Sequence, residues 1–166
     1  MSTQIKIKCG YIILIFVLIY GCANPYQVRQ LPFTEPTPPN PDETLIYVFR
    51  ENSFFAGARK FGIIANDTVV CVLSPEEFCN FTVKSGENEI VAYMSPSPLM
   101  HYRVQSRPGK KTYLLCKVGY TAGMFIEEID EDKAGELIKQ FKYTEIEVKN
   151  QKAKANYKTY YDNLYK

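Results

Sequence analysis

His101 is the only histidine in this chain of 166 residues, so it is the first side chain to consider as a general base. A hydrolytic triad needs such a base beside an activated nucleophile, and the sequence has neither a G-x-S-x-G motif nor a catalytic-cysteine signature. Alternation along the surrounding segment places His101 on one strand face with Arg103 and Gln105. We therefore predict an exposed strand histidine instead of a catalytic base, and no enzymatic activity.

The cysteines allow a disulfide but predict no metal site. The spacings among Cys71, Cys79 and Cys116 never approach C-x-x-C, and a single histidine excludes an H-x-x-x-H pattern, so we expect neither zinc nor another cofactor. In an oxidising compartment these three thiols can form at most one internal disulfide. The best pairing joins Cys71 to Cys79, because the two lie on adjacent predicted strands. The alternative leaves them as buried free thiols.

The acidic run that begins at Asp130 partly imitates the start of an EF-hand calcium loop. Position five of that loop is Ala134, and position twelve is Phe141, where a bidentate glutamate is needed. Without those oxygens the segment predicts no calcium site. We expect a solvated acidic connection that leads into a short helix over residues 133–141.

Cys22 has a different chemistry, because it ends an N-terminal apolar run. Lys6 and Lys8 form a short basic region, and an unbroken apolar region of ten residues follows at 11–20. That length is typical of a signal peptide and is short of the roughly 20 residues that cross a bilayer. The stretch Ile19-Tyr20-Gly21-Cys22 resembles the bacterial lipobox, in which cleavage falls before a lipidated cysteine.

The lipobox-like stretch predicts a lipoprotein with a signal peptide at 1–21. Cys22 would carry a diacylglyceryl thioether and an acylated amine, such as a palmitoylated one, and two or three chains anchor a protein stably. The predicted location is the cell envelope, and Ala23 after the cysteine favours the outer membrane, at its periplasmic face, if the host is diderm. The alternative is an uncleaved membrane helix, which would have to contain Gly21 and Pro25.

Residues 22–44 are predicted to form a tether. Six of the ten prolines of the chain lie there, and proline fixes φ and removes backbone donors. At about 3.1 Å per residue the segment could reach roughly 70 Å, which would hold a folded domain away from the membrane surface.

The remaining chain is predicted to be one all-β domain over residues 45–141. Short runs rich in β-branched and aromatic residues alternate with turn signals, which indicates an antiparallel β-sandwich, or a barrel, of about seven to eight strands. Asn66-Asp67, Ser85-Gly86-Glu87 and the turn at 107–110 are each typical of a hairpin. The predicted strands are 45–50, 60–65, 68–73, 78–84, 88–94, 99–106, 111–120 and 123–129.

The C-terminal extension, residues 142–166, is predicted to be helical in its last part. From Gln151 onward the sequence lacks Pro and Gly, and Tyr157, Tyr161 and Leu164 fall at helical spacing on one stripe. The stripe would need a surface to cover, because so short a helix is marginal alone. The alternative is a frayed basic tail.

Four stretches of the predicted domain occur in an order that resembles a known family. They are IYVFR at 46–50, FAG at 55–57, SGENEI at 85–90 and GKKTYL at 109–114. The chain is similar, over residues 44–140, to a family of small bacterial lipoproteins catalogued only as a domain of unknown function. The resemblance implies a β-sandwich of the immunoglobulin or carboxypeptidase-regulatory type. It implies no catalytic residues.

Two classes of function remain open from the sequence. Without Lys6 and Lys8 the chain has 18 basic and 18 acidic residues, and this balance argues against a general nucleic-acid binder. The first class is a non-catalytic envelope module that binds an envelope protein or glycan, or that serves a structural role. The alternative is an envelope hydrolase or metal-dependent enzyme whose site is built from scattered acidic and hydroxyl residues. A cleft where such groups converge would distinguish the second class.

Overall fold

The computed structural model of the protein describes residues 26–148, apart from positions 38, 55, 56, 58, 95–97 and 120–122. Strands dominate this part of the chain, and one helix interrupts them near its end. The elements in chain order are β1 Tyr26–Gln30, β2 Glu43–Arg50, β3 Phe61–Ala65, β4 Thr68–Leu73, β5 Glu77–Lys84, β6 Gly86–Tyr93, β7 Met100–Ser106, β8 Lys111–Val118, β9 Met124–Ile129, α1 Glu131–Gln140 and β10 Lys142–Val148.

The strands form two sheets, which confirms the predicted all-β sandwich. The larger sheet has the order β1-β10-β5-β2-β8-β9, and the smaller one has the order β4-β3-β6-β7. Most strand pairs are antiparallel, as predicted, but β2 pairs with β8 and β5 with β10 in parallel. Parallel neighbouring strands need a long connection between them. Here strands β3 to β7 lie between β2 and β8 in the chain, and β6 to β9 lie between β5 and β10.

One predicted hairpin is present, and two are not. Asn66 and Asp67, with φ of 45° and 66°, close the β3–β4 hairpin, as residues that tolerate positive φ should. The turn at 85–87 instead carries the chain from β5 in one sheet to β6 in the other, and the turn at 107–110 does the same between β7 and β8. Gly86 and Gly109 supply positive φ at these crossings. Turn residues therefore identified the reversals but not the strands that they join.

The main core lies between the two sheets. Its side chains come from alternate positions of the facing strands, as the period of two along a strand requires. The chain joins the layers covalently as well, because Cys71 of β4 and Cys79 of β5 form the disulfide predicted from the sequence, with Cα atoms 6.5 Å apart. Buried members of this core include Ile46, Val48, Phe61, Ile63, Leu73, Ile90, Val104, Leu114 and Ile126.

A second cluster, rich in aromatic rings, lies on the other side of the six-stranded sheet. Alternate residues of β2, β5 and β8 contribute to it, and α1 covers it with Ala134 and Leu137. The predicted short helix is present but begins two residues before the expected start at 133, at Glu131, because the Asp130 side chain caps it by accepting a hydrogen bond from the Lys133 N–H at 2.8 Å. The cluster consists of Leu45, Tyr47, Phe49, Phe78, Tyr113, Leu115, Ala134 and Leu137, with Phe33, Ile129, Ile138, Phe141 and Tyr143 packed against it.

Both ends of the predicted domain need correction. The expected tether contains strand β1, which pairs with β10, and the residues after it pack on the sheet. The segment of β1 lies between Pro25 and Pro32, so its own backbone donors are intact. At the other end, residues 142–148 of the predicted extension form strand β10, because Tyr143, Thr144, Ile146 and Val148 favour extended backbone and the segment pairs with β1 and β5. The helix predicted from Gln151 onward lies outside the described residues.

Candidate functional site

The N-terminal segment of residues 31–37, here called the strap, is fastened across the aromatic cluster. Its backbone is held at one point, where the Leu31 N–H donates to the Tyr143 carbonyl oxygen at 3.1 Å. Near its other end, Glu35 accepts hydrogen bonds from the Tyr47 hydroxyl at 3.0 Å and from the Lys111 ammonium at 2.5 Å. The strap therefore belongs to the folded domain.

Phe33 is the apolar contact of the strap. Its ring meets the edges or faces of three aromatic neighbours, with centroid distances of 5.2 Å to Phe78, 5.3 Å to Tyr143 and 6.4 Å to Tyr47. Interplanar angles of 62° to 70° give the edge-to-face arrangement that the ring quadrupole favours. Sequence reasoning missed this residue, because a single phenylalanine among prolines has no periodic pattern around it.

The tyrosines of the cluster place their hydroxyls against carboxylates at its rim. Burial raises the pKa of Tyr47 far above its usual value, and the hydrogen bond to Glu35 adds to the shift. Burial, with Glu131 nearby, raises the pKa of Tyr113 to about 12. These phenols stay protonated at neutral pH and act as hydrogen-bond donors. The rim is thus a set of closed contacts that hold the strap and α1 in place.

The ends of β1 and β10 define where an anchor would attach. Tyr26 is the register partner of Val148, and the antiparallel pairing continues to Gln30 opposite Thr144. Cys22 precedes Tyr26 by four residues, a distance that a fully extended chain covers in at most about 14 Å. The chain that follows the lipobox-like cysteine therefore enters the folded domain almost at once.

The outer face of β6 and β7 bears charged side chains in a regular array, here called the charged face. It consists of Glu87, Glu89, His101, Arg103 and Gln105, all exposed or nearly so. His101 Nδ1 lies 3.0 Å from a Glu89 carboxylate oxygen, and Arg103 lies 3.7 Å from Glu87. These pairs are open to solvent and contribute little to stability.

His101 is placed as the sequence predicted, on an exposed strand face. Its ring is half exposed, and its directly opposite residue on β6 is Val91. The hydrogen bond to Glu89 orients the imidazole, and the other side chains of the charged face are carboxylates, a guanidinium and an amide. Such a surface can form ion pairs and hydrogen bonds with a partner.

Arg50 is the largest fully buried side chain, and the sequence analysis did not single it out. Its guanidinium donates to the Leu73 carbonyl oxygen at 2.7 Å and stacks 4.1 Å from the centroid of the Phe61 ring. The buried Glu77 is its register partner on β5. Burial lowers the pKa of Arg50 to about 10, and the Glu77 charge opposes that shift. The feature of the sequence that could have pointed to Arg50 is its charge, which directly follows the apolar run IYVF at 46–49.

Glu77 connects this buried pair to the N-terminal strand. One carboxylate oxygen accepts from the Gln30 side-chain amide at 2.7 Å, and the other accepts from the Ser74 N–H at 2.7 Å. Because a buried charge is tolerated only when it is paired and hydrogen-bonded, the arrangement is structural. It fixes the crossing from β4 to β5 and ties β1 to the sheet.

The other residues considered in the sequence also have definite places. Cys116 is a buried free thiol, and burial raises its pKa to about 12, so it is unreactive at neutral pH. Asp130 caps α1.

Within the described part of the chain, no group of three or more His, Cys, Asp and Glu side chains could hold a metal ion. The same part contains no helix whose length and apolar character would suffice to cross a bilayer. Cys22 lies outside it.

Comparisons with known proteins add little to this description. No family model matches the chain, and no curated protein matches it. Among solved structures, the chain is similar to the NMR structure of a protein from Eubacterium rectale, with 11% sequence identity and a TM-score of 0.41. The match covers 55% of this chain and 92% of that chain. The resemblance to a lipoprotein family of unknown function stays a prediction.

Proposed function

We propose that the protein is a membrane-anchored bacterial lipoprotein whose β-sandwich acts as a non-catalytic binding or structural module in the cell envelope. Cys22 carries the lipid, and in a diderm host the anchor lies in the periplasmic face of the outer membrane. The ligand is an envelope protein or glycan. The sandwich works by presenting a surface and not by turnover.

The observation that carries this proposal is the continuity between the lipobox-like cysteine and the folded domain. Only three residues separate Cys22 from Tyr26, the first residue of β1. The strap then holds the following segment against the sheet through Phe33 and Glu35. A lipid on Cys22 would therefore keep the sandwich itself close to the membrane, where a long free tether would let it move away.

The charged face is the surface that this module presents. Glu87 and Glu89 alternate with inward-facing Asn88 and Ile90 on β6, so their carboxylates point away from the core. His101 and Arg103 stand beside them on β7, the edge strand of its sheet. Mixed charges with an amide, on a rigid sheet, suit a polar protein or glycan partner, because such groups give specificity through matched charges and hydrogen bonds.

The first experiment tests the anchor. The Cys22→Ser variant should lose incorporation of labelled palmitate and accumulate as precursor, and Cys9→Ser should behave as the wild type, because Cys9 leaves with the signal peptide. Intact-mass analysis of the mature protein should show a lipid on residue 22. A mature protein of unmodified mass in the wild type would refute the anchor.

The second experiment tests the surface. Glu87→Lys with Glu89→Lys reverses two charges on the charged face, and Glu128→Lys with Asp132→Lys makes the same change elsewhere on exposed positions. Cross-linking to a partner in native envelopes, or binding to purified cell-wall glycan, should be lost in the Glu87→Lys, Glu89→Lys double variant. It should be kept in the Glu128→Lys, Asp132→Lys double variant. Equal binding by both would remove the charged face from the proposal. Hydrolysis of an ester, peptide, glycan or phosphate substrate that is lost when one acidic or hydroxyl residue is replaced would favour the alternative, a hydrolase.

A further inference from the structure

Three buried residues of the four-stranded sheet belong to neither hydrophobic cluster. Ile64 on β3, Val72 on β4 and Val91 on β6 have exposed fractions of 1%, 7% and 2%. Ile64 is opposite Val91, and Val91 is opposite His101, which lies on the exposed outer face. Because directly opposite residues point to the same side of a sheet, Ile64 and Val91 point away from the main core.

These residues are part of a continuous apolar area on the outer face, here called the outer patch. Gly62 is opposite both Val72 and Tyr93, and it lies two positions before Ile64 on the same face. The Tyr93 ring occupies the space where a Cβ on Gly62 would stand, so it covers that row of the sheet. Ile64 and Val91 lie in the next row. The outer patch consists of Ile64, Val69, Val72, Val91 and Tyr93.

Among the described helices and strands, none packs on the outer patch. The helix α1 and the strap lie on the six-stranded sheet, and β3 and β6 make their main contacts with strands of their own sheet. A side chain on the free face of a sheet normally keeps part of its surface in water. The near-complete burial of Ile64 and Val91 therefore indicates that another segment covers them.

The C-terminal segment, residues 149–166, starts close to this face. Because β10 runs parallel to β5, Val148 lies toward the Lys84 end of the sandwich, and β10 lies against β4, an edge strand of the smaller sheet. The β3–β4 hairpin is at the same end. There the Asn88 side chain donates to the Lys84 carbonyl oxygen at 2.8 Å and accepts from the Asn66 side-chain amide at 2.6 Å. The chain thus leaves β10 beside the sheet that carries the outer patch.

The C-terminal segment has the length and the side chains to cover the outer patch. The four strands of the smaller sheet span about 14 Å, and a helix over residues 153–166 would be about 21 Å long. Tyr157, Tyr161 and Leu164 fall on one stripe of that helix. Tyrosine rings suit a half-buried seam, since the ring packs while the hydroxyl stays hydrated. A helix this short is marginal alone and needs such a surface.

We propose that the C-terminal segment docks as a helix on the outer patch, with its tyrosine stripe against Ile64 and Val91. This choice of occupant rests on the proposed removal of residues 1–21. In the mature chain, the other stretches outside the described residues are 22–25 and internal positions that number at most three in a row. The charged face lies beyond the patch and is exposed, so it stays available to a partner.

The test compares two valines that are equally buried on opposite sides of the same sheet. Val91 and Val104 are each 2% exposed, but Val104 belongs to the main core. Val91→Cys and Val104→Cys are each made in the mature lipoprotein, with and without residues 151–166, and the rate of alkylation by N-ethylmaleimide is measured.

The native cysteines give little background in this assay. Cys71 and Cys79 are bonded to each other, and burial raises the pKa of the Cys116 thiol to about 12. The protein without an introduced cysteine measures what remains.

We expect truncation to accelerate alkylation of Val91→Cys about tenfold or more and to leave the rate at Val104→Cys unchanged. The reason is that release of the segment would expose one face of the sheet and leave the main core closed.

A second variant keeps the chain at full length. Tyr157→Ser with Tyr161→Ser removes two rings of the stripe and should also accelerate alkylation of Val91→Cys. The matched control is Thr159→Ser with Asp162→Ser, two positions on the other side of the helix, and it should leave the rate unchanged.

Three outcomes would decide against the inference. Equal protection of Val91→Cys in the intact and truncated chains would overturn it, and protection that is then lost on dilution would assign the cover to a second copy. Equal acceleration at Val91→Cys and Val104→Cys would overturn it as well, because the segment would then stabilise the whole sandwich. Equal effects of the tyrosine variant and its control would exclude the stripe.

The anchor is tested separately by the mass of the mature protein. An uncleaved chain without lipid would refute the proposed function, whereas faster alkylation of Val91→Cys on truncation would still support docking of the C-terminal segment.

Discussion

Removing the ring of Phe33 should release the strap. Full burial of a phenylalanine contributes about 1.5–3 kcal/mol, and truncation to alanine in a core costs about 3–5 kcal/mol. Phe33 is partly exposed at the edge of the aromatic cluster, with three ring neighbours between 5.2 and 6.4 Å away. For Phe33→Ala we therefore expect a loss of about 2 kcal/mol, which raises the population of the released strap about 30-fold.

Limited proteolysis measures this population directly. Trypsin cleaves after Arg29, which lies in β1, and the site becomes accessible when β1 and the strap open. If opening is fast relative to cleavage, the cleavage rate follows the population of the open form and should rise by up to about 30-fold in Phe33→Ala. Leu31→Ala is the matched control, because Leu31 is 41% exposed and its backbone hydrogen bond to Tyr143 is unaffected. It should change stability by no more than about 0.5 kcal/mol.

The result also bears on how far the domain would extend from the proposed lipid anchor. With the strap in place, about 14 Å of chain joins Cys22 to the domain, whereas release of residues 23–42 would allow roughly 70 Å. Cleavage of Phe33→Ala at the wild-type rate would refute the reasoning, since it would mean that the ring contacts do not hold the strap.

Three further variants test the rest of the structure. Arg50→Met should cost about 3–5 kcal/mol in urea unfolding because it leaves the buried Glu77 without its opposite charge, and a loss below about 1 kcal/mol would contradict the buried pair. Replacing Cys71 and Cys79 by Ala should cost about 2–3 kcal/mol, given the short loop that they close, and should make stability insensitive to reductant. Because the pKa of Tyr113 is raised to about 12 in the folded protein, against an unfolded value of 10.0, its stabilising effect is present below pH 10 and is lost as the pH rises through 12. Tyr113→Phe should therefore make the alkaline decline of the melting temperature shallower, and an unchanged slope would exclude this linkage.

The strand content of the protein could be predicted from its sequence, because local features determine it. Runs such as TVVCVL at 68–73 favour extended backbone through β-branched side chains, and their alternation identifies the buried face. The Asn66-Asp67 turn is likewise local, since it depends on two residues and the backbone beside them.

The disulfide was predictable for a related reason. Cys71 and Cys79 lie eight positions apart, on consecutive strands joined by a short turn, so their approach depends on little beyond the two strands themselves. The exposed position of His101 followed from alternation alone, although its partner Glu89 did not, because that contact depends on the register of β6 against β7.

The sequence by itself thus determined the local elements: the strands, the turn positions, a short helix after the acidic run and the apolar run that ends at Cys22. Only the tertiary structure decided which sheet each strand joins. A turn such as 107–110 reverses the chain whether the next strand pairs with the last one or crosses to the other layer, and the choice depends on which apolar faces can be buried together. The same reason explains the strap and β10. Phe33 has no periodic pattern around it, and its position depends on the aromatic cluster. Residues 142–148 favour a strand locally, but their partner β1 lies more than 100 residues away in the chain.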